Sequence, residues 1–136
     1  MIIADTSGLL ALFNAAEPDH AVVARVVAEE RDQLVVSPYV LAELDYLVGS
    51  RIGVAAELVM LRELAGGAYH LTTIDLDQLA TAADVVQRYH DQHIGLADAS
   101  IVVLAERFRT RRVLTLDRRH FGALRPLAGG AFELLP

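Results

Sequence analysis

The stretch Met1-Ile2-Ile3-Ala4-Asp5-Thr6-Ser7 decides the fold, because it is a short apolar run that ends in a carboxylate and two hydroxyls. Such a run is too short for a helix and suits a strand buried inside a parallel sheet. Thr6 and Ser7 both favour a helix start, so the strand is predicted to lead into a helix from about Ser7 to Ala15. The chain therefore opens with a β–α unit.

The same alternation of short apolar strands and helical segments continues to the end of the chain. Further strands are predicted over 34–37, 69–73, 113–116 and 132–135. Helices are predicted over 17–30, with Pro18 in the first turn, 38–48, 58–65, 75–90 and 96–109, with a short helix or turn over 117–124. Gly49 and Gly53 are expected to break the second of these helices. The alternation predicts an α/β fold with a mostly parallel sheet, in one domain spanning 1–136.

The bulk composition excludes several classes of protein. Hydrophobic residues make up 54% of the chain and charged residues 22%, which argues against disorder. No apolar run reaches the roughly 18 residues of a membrane span, and no basic and apolar leader precedes Ile2, so a cytoplasmic protein is expected. The absence of cysteine excludes disulfides, zinc–thiolate sites, iron–sulfur clusters and thiol nucleophiles.

All twelve basic residues are arginine, and the missing lysine excludes Walker-type phosphate loops. It also weighs against haloacid-dehalogenase phosphatases and receiver domains, whose acidic pockets normally include a lysine. The net charge is −6, but the arginines are concentrated near the end of the chain. Seven of the twelve are Arg107, Arg109, Arg111, Arg112, Arg118, Arg119 and Arg125. A basic C-terminal face beside an acidic pocket fits an enzyme that binds phosphates around a metal.

Four carboxylates lie in apolar surroundings at predicted strand ends or on helices, namely Asp5, Glu43, Asp98 and Asp117. Burying an ionised carboxylate is costly unless hydrogen bonds, a cation or a proton compensate it. Ligands of parallel α/β sheets bind beyond the carboxyl ends of the strands, where Asp5 and Asp117 are predicted to lie. If the four acids converge, they can bind Mg²⁺ or Mn²⁺, which indicates phosphoryl chemistry.

Each of these acids also has a simpler structural explanation. Asp5 can cap the first helix, although Thr6 or Ser7 can do so instead. Asp98 can cap its helix or lie in the first turn, where the helix dipole would lower its pKa and keep it ionised. Glu43 can be a partly exposed helical acid with Asp45 as the competing candidate, and Asp117 can be an ordinary turn residue.

Hydroxyl and imidazole side chains supplement this acidic set. Thr115 lies two residues before Asp117 on the same face of its strand, where its hydroxyl can hold a carboxylate or a water, or simply suit a strand. His90 and His93 are expected in a solvated turn, since no third ligand lies at zinc spacing. His120 is expected at the surface, where it can touch phosphate.

Four segments together resemble a PIN domain, and more narrowly a VapC-type toxin of a type II toxin–antitoxin pair. They span the chain in the family's order: Ile2-Ile3-Ala4-Asp5-Thr6-Ser7, Ser37-Pro38-Tyr39-Val40-Leu41-Ala42-Glu43-Leu44, Gly95-Leu96-Ala97-Asp98-Ala99-Ser100 and Leu114-Thr115-Leu116-Asp117-Arg118-Arg119-His120-Phe121. The resemblance implies a three-layer α/β/α fold and Mg²⁺- or Mn²⁺-dependent cleavage of RNA.

Carried over by motif, Asp5 and Asp98 would be the principal metal ligands, and Glu43 and Asp117 would complete the cluster directly or through water. Thr6, Ser7 and Thr115 would support them. The resemblance also implies a homodimer and a VapB-type antitoxin that packs around residues 38–65. It is strongest to toxins that cleave the sarcin–ricin loop of large-subunit ribosomal RNA, while similar toxins cut transfer RNA.

The chemistry expected from these residues is metal-assisted hydrolysis of a phosphodiester, with Arg118, Arg119 and Arg112 on flanking phosphates. Two alternatives remain at this point. One is a non-catalytic PIN-like module that binds RNA or protein, which an intact acidic quartet disfavours. The other is a DNA-directed nuclease, which the small size disfavours.

Overall fold

Five short strands form the central sheet of the computed structural model, which describes residues 1–136. The strands are β1 (Ile2–Ala4), β2 (Leu34–Val36), β3 (His70–Leu71), β4 (Arg112–Leu114) and β5 (Glu133–Leu135). Their order across the sheet is β3-β2-β1-β4-β5, and all neighbours are parallel. The predicted mostly parallel sheet is thus entirely parallel, and its strands are slightly shorter than predicted.

Seven α-helices connect these strands, and the fold is the predicted three-layer α/β/α arrangement. They are α1 (Thr6–Phe13), α2 (His20–Glu29), α3 (Pro38–Arg51), α4 (Val54–Ala65), α5 (Leu76–Arg88), α6 (Leu96–Arg107) and α7 (Arg118–Ala123). A 3₁₀ turn, His90–Gln92, precedes α6. None of the helices has both the length and the apolar character needed to cross a bilayer.

Local capping explains several helix boundaries. The sequence allows either Asp75 or Asp77 to cap α5, and in the structure Asp75 caps it through a capping box with Gln78. Ser37 caps α3, since its hydroxyl accepts the Tyr39 N–H, and Pro38 occupies the first helical position. Pro18, in contrast, lies in the turn before α2 and not in its first turn as predicted.

The prediction that Gly49 breaks α3 is wrong, because the helix continues through it to Arg51. A Cβ at Gly49 would lie 3.0 Å from the Glu57 carboxyl of α4, a close contact that a small shift of the Glu57 side chain would relieve. The break occurs at Gly53, whose φ of 129° is accessible only to glycine at low cost.

The sheet lies inside a core of 29 buried apolar residues. Ile2, Ile3 and Ala4 are fully buried, as expected for a strand covered on both faces. The chain adds β2 and β3 on one side of β1, then returns to place β4 and β5 on the other side. The carboxyl ends of β1 and β4 therefore border the crevice where the strand order reverses, which is where ligands bind in such sheets.

Candidate active site

A hydroxyl network fixes the Asp5 carboxylate immediately after β1. The hydroxyls of Ser7 and Thr115 both donate to Asp5 Oδ2, at 2.6 and 2.7 Å. The Asp5 side chain is only 5% exposed, and its backbone N–H donates to the Leu114 carbonyl at 2.9 Å. Ser7 and Thr115 thus hold Asp5 across the junction between β1 and β4.

The same two hydroxyls position the loop that carries Asp117. The Leu116 N–H donates to Ser7 Oγ and the Asp117 N–H donates to Thr115 Oγ1, both at 2.9 Å. Asp117 in turn caps α7, since its Oδ1 accepts the His120 N–H at 2.9 Å. Asp117 is therefore both a helix cap and a neighbour of Asp5, so its structural explanation does not exclude the functional one.

His120 joins Asp117 to Asp98. Its Nδ1 lies 3.1 Å from Asp117 Oδ2 and 3.4 Å from Asp98 Oδ2. Its side chain is 25% exposed, so it is not the surface histidine expected from the sequence. His120 bridges two of the four predicted ligands.

Asp98 lies in the first turn of α6, after the N-cap Gly95. The predicted lowering of its pKa is wrong, because burial of the carboxyl and the nearby Asp5 carboxylate raise the pKa to about 6. His120 and a backbone hydrogen bond from Gly95 lower it, and Asp117 raises it further. Crowding of carboxylates in a partly dry site outweighs the helix dipole here.

Glu43 approaches the site from α3. Partial burial of its carboxyl and the charge of Asp5 raise its pKa. The Ser37 and Ser100 hydroxyls are fully buried and 2.6 Å apart, and they link the start of α3 to α6. This bond sets the spacing of the two helices that carry Glu43 and Asp98.

One cavity of about 440 Å³ brings the predicted acids together. All four carboxylates line it, together with Thr6 and Ser7. Asp45, the alternative to Glu43, does not line it, and instead raises the pKa of Glu57 on α4 through a hydrogen bond. The structure therefore selects Glu43 over Asp45.

The donor chemistry of this cavity suits a hard divalent cation. Its acids all offer oxygen donors, and burial together with the charge of Asp5 raises the pKa of Glu43 and of Asp98. Thr6 Oγ1 is buried beside them without a hydrogen-bond partner. No three acidic or histidine side chains lie close enough to hold one ion as they stand, so binding requires the carboxylates to draw together.

The structure does not bring the predicted RNA-contacting arginines into the cavity. Arg112 lies at the amino end of β4, whereas the cavity lies beyond the carboxyl ends of the strands, and it pairs with Glu30. Arg118 and Arg119 lie on α7, after Asp117, where both are exposed and Arg118 donates to the Pro136 carbonyl. Of these three predicted arginines, only Arg118 and Arg119 follow directly after a residue of the site.

Sequence reasoning did not assign three of the cavity side chains to the candidate site, namely Arg51, His93 and His120. His93 and His120 were noticed but were expected at the solvated surface. The spacing of Arg51 from Glu43, eight residues along one helix, is a signal that could have found it once α3 was predicted to continue past Gly49.

We expect Asp98→Asn to raise the free energy of unfolding of the metal-free protein at pH 7.5 by about 1–3 kcal/mol. The folded-state pKa of Asp98, about 6, exceeds its ordinary value of 3.8, so the folded protein binds this proton more tightly than the unfolded chain does. The resulting stability is present at about pH 4 and is lost as the pH rises through about 6. Urea unfolding in EDTA at pH 5 and 7.5 measures it.

The exposed acid Asp91 of the 3₁₀ turn provides the control for that comparison. Asp91→Asn should leave the difference between the two pH values unchanged. If the stability of the Asp98→Asn protein depended on pH as that of wild type does, the raised pKa of Asp98 would not be the source of that dependence.

A family model for the PIN domain matches residues 2–125. Ribonuclease VapC26 of Mycobacterium tuberculosis (strain ATCC 25618 / H37Rv) is 60% identical over 135 residues, which cover 99% of this chain and 100% of that protein. The aligned region covers nearly the whole chain and therefore spans all four site segments.

Two solved structures share the fold at low sequence identity. VapC20 of Mycobacterium tuberculosis, described as a toxin that cleaves the sarcin–ricin loop, has a TM-score of 0.85 at 21% identity and full coverage of both chains. A toxin–antitoxin complex from Klebsiella pneumoniae has a TM-score of 0.70 at 18% identity, covering 91% of this chain and 92% of the other.

Proposed function

Because this chain belongs to the PIN-domain family, as a VapC-type ribonuclease toxin of a toxin–antitoxin system, we propose that it is a metal-dependent endoribonuclease that inhibits translation. The observation that carries the proposal is the convergence of Asp5, Glu43, Asp98 and Asp117, from four separate elements, on one cavity. Structural capping alone explains one or two of these positions but not their convergence.

Asp5 and Asp98 are the principal ligands of Mg²⁺ or Mn²⁺ in this proposal, with Glu43 and Asp117 completing the set. When bound, such a cation lowers the pKa of a coordinated water and neutralises charge that develops on the scissile phosphate. Asp5 is the best oriented of the four, because Ser7 and Thr115 restrain one of its oxygens.

The remaining steps fall to the side chains of the chain itself. Glu43 or Asp117 orients or deprotonates the attacking water. The water oxygen bonds to phosphorus in line with the leaving oxygen, the bond to the 3′-oxygen breaks, and that oxygen takes up a proton. The products are a 5′-phosphate and a 3′-hydroxyl. His120 lies between Asp98 and Asp117 and bridges the two carboxylates.

For the target, we favour the sarcin–ricin loop of large-subunit ribosomal RNA over transfer RNA. The support is the similarity in fold to VapC20 and the sequence likeness around Glu43 and Asp117. Looped RNA can offer unstacked bases to a protein surface. Cleavage of such RNA places the protein in the cytoplasm.

A VapB-type antitoxin and a second copy of the chain are the proposed partners. Exposed apolar side chains cluster on α3 and α4, where Tyr46 is 71%, Val54 66% and Val59 63% exposed. Val59 also lines an apolar groove of about 430 Å³ that includes Leu12 and Phe13 of α1. Contiguous apolar surface of this kind is typical of protein interfaces.

The proposed activity is tested by mapping new RNA ends. Purified protein is incubated with total bacterial RNA, with and without Mg²⁺ or Mn²⁺, and new 5′ ends are identified by sequencing. Wild type is compared with Asp98→Asn. We expect discrete metal-dependent ends that the variant does not produce, at the sarcin–ricin loop if the preferred target is right.

Other outcomes separate the alternatives. New ends within transfer RNA would show that transfer RNA is the target and would still support the proposed ribonuclease activity. Cleavage of DNA in a parallel incubation, with RNA intact, would identify a DNA-directed nuclease. RNA binding that survives chelation with no new ends would indicate the non-catalytic module.

A further inference from the structure

One face of α3 extends the cavity away from the acids. Glu43, Leu47 and Arg51 follow at intervals of four residues, which places them along one side of the helix, and all three line the cavity. With a rise of about 1.5 Å per residue, the Cα atoms of Glu43 and Arg51 are separated by about 12 Å along the axis. The cavity thus has an acidic end and an end marked by Arg51.

Arg51 is the only arginine among the cavity residues, and it forms no ion pair or hydrogen bond within the chain. Its side chain is exposed. Arg107, Arg112 and Arg125, in contrast, are engaged within the chain: Arg107 binds Thr72, Arg112 binds Glu30 and Arg125 binds carbonyls of α7 and its C-cap. A free guanidinium beside four carboxylates, yet paired with none of them, is available to a ligand.

We propose that Arg51 binds a phosphate of the RNA strand that flanks the scissile phosphate, which makes this end of the cavity a nucleotide subsite. The inference rests on the proposed ribonuclease activity of the same cavity. Because Arg51 lies about 12 Å from Glu43 along the helix axis, it is placed to bind a phosphate that neighbours the one at the acids. The guanidinium fork suits bidentate binding of phosphate oxygens.

Arg62→Ala is the matched control that distinguishes a purely structural role of Arg51 from a contact with RNA. Each arginine lies in the last turn of its helix, α3 for Arg51 and α4 for Arg62, where a cation interacts favourably with the helix dipole. Both are exposed, but Arg62 does not line the cavity. Arg51→Ala and Arg62→Ala should therefore lose the same dipole interaction, and only Arg51→Ala should lose a contact with RNA.

The first arm of the test measures cleavage of an RNA fragment that spans a mapped cut site. Arg51→Ala is expected to lower kcat/KM about 10-fold, mostly through KM, with Arg51→Lys retaining much of the activity and Arg62→Ala unchanged. On fragments shortened from one side of the cut, wild type and Arg51→Ala should become equal. Equal activity of Arg51→Ala and Arg62→Ala on the long fragment would overturn the inference.

The second arm does not require cleavage. Fluorescence anisotropy measures binding of a fluorescein-labelled single-stranded RNA of about 12 nucleotides to Asp98→Asn protein, with and without Arg51→Ala, across a series of salt concentrations. Losing one phosphate contact should reduce the slope of log affinity against log salt by about 1. An unchanged slope would overturn the subsite.

The two arms separate the inference from the proposed function. If wild type cleaves no RNA but the salt slope falls with Arg51→Ala, the ribonuclease proposal fails while the RNA subsite stands. If Arg51→Ala changes neither cleavage nor RNA binding and weakens only the binding of a protein partner, the subsite is refuted and this face belongs to that partner.

Discussion

Replacing Asp5 with asparagine is expected to lower the rate of RNA cleavage by about 10³-fold or more while the protein remains folded. Asparagine keeps the shape of the side chain but lacks the negative charge needed to bind a divalent cation. It can still accept the hydrogen bonds from Ser7 and Thr115, so the junction between β1 and β4 should persist. Single-turnover cleavage of a mapped RNA fragment measures the rate, and thermal unfolding checks the fold.

The control for this prediction is Asp77→Asn, which changes an exposed acid in the first turn of α5, far from the cavity lining. It should cleave at the wild-type rate. If the activity of Asp5→Asn were within a few-fold of that of Asp77→Asn, Asp5 would not take part in the cleavage reaction.

Replacing Gly8 with alanine is expected to destabilise the protein by about 1–3 kcal/mol and to reduce cleavage as well. A Cβ at Gly8 would lie 2.6 Å from the Leu114 carbonyl oxygen and 2.8 Å from its Cγ, so α1 must move away from β4. That carbonyl accepts the Asp5 N–H, and the movement would disturb the position of Asp5. Urea unfolding measures the stability, and the cleavage assay measures the effect on the site.

Gly122→Ala tests whether the effect is specific to close packing. Gly122 lies in α7, and a Cβ there would meet no atom within 4 Å. Alanine favours a helix over glycine by roughly 0.5–1 kcal/mol, so this variant should be as stable as wild type or slightly more so. If the two alanine variants were equally stable, the tight contact between α1 and β4 would not be a constraint on the fold.

The sequence was sufficient to predict the β–α alternation and the acids at strand ends, because both depend on local patterns. Short apolar runs such as Ile2–Ala4 have few alternatives once they are flanked by capping residues. The capping box at Asp75 is likewise local, since it requires only a side chain three residues away. The metal-binding roles expected of the individual acids then followed from the family resemblance.

Features that depend on distant parts of the chain could not be predicted in this way. Gly49 lies inside α3, which continues to Arg51 and packs against α4, and no local rule includes that packing. The pKa of Asp98 rises because burial and Asp5 outweigh the helix dipole that local reasoning considered. His120 lines the cavity because α7, which follows its N-cap Asp117, places the imidazole next to Asp98.

The most direct measurement is a titration of Mn²⁺ binding by electron paramagnetic resonance, with wild type compared with the Asp5→Asn/Asp98→Asn double variant. If the four carboxylates share a cation, wild type should bind Mn²⁺, Mg²⁺ should compete for the same site, and the double variant should lose that binding. Equal Mn²⁺ binding by the two proteins would contradict a metal site at these acids, and so would the absence of binding in folded wild type with RNA present.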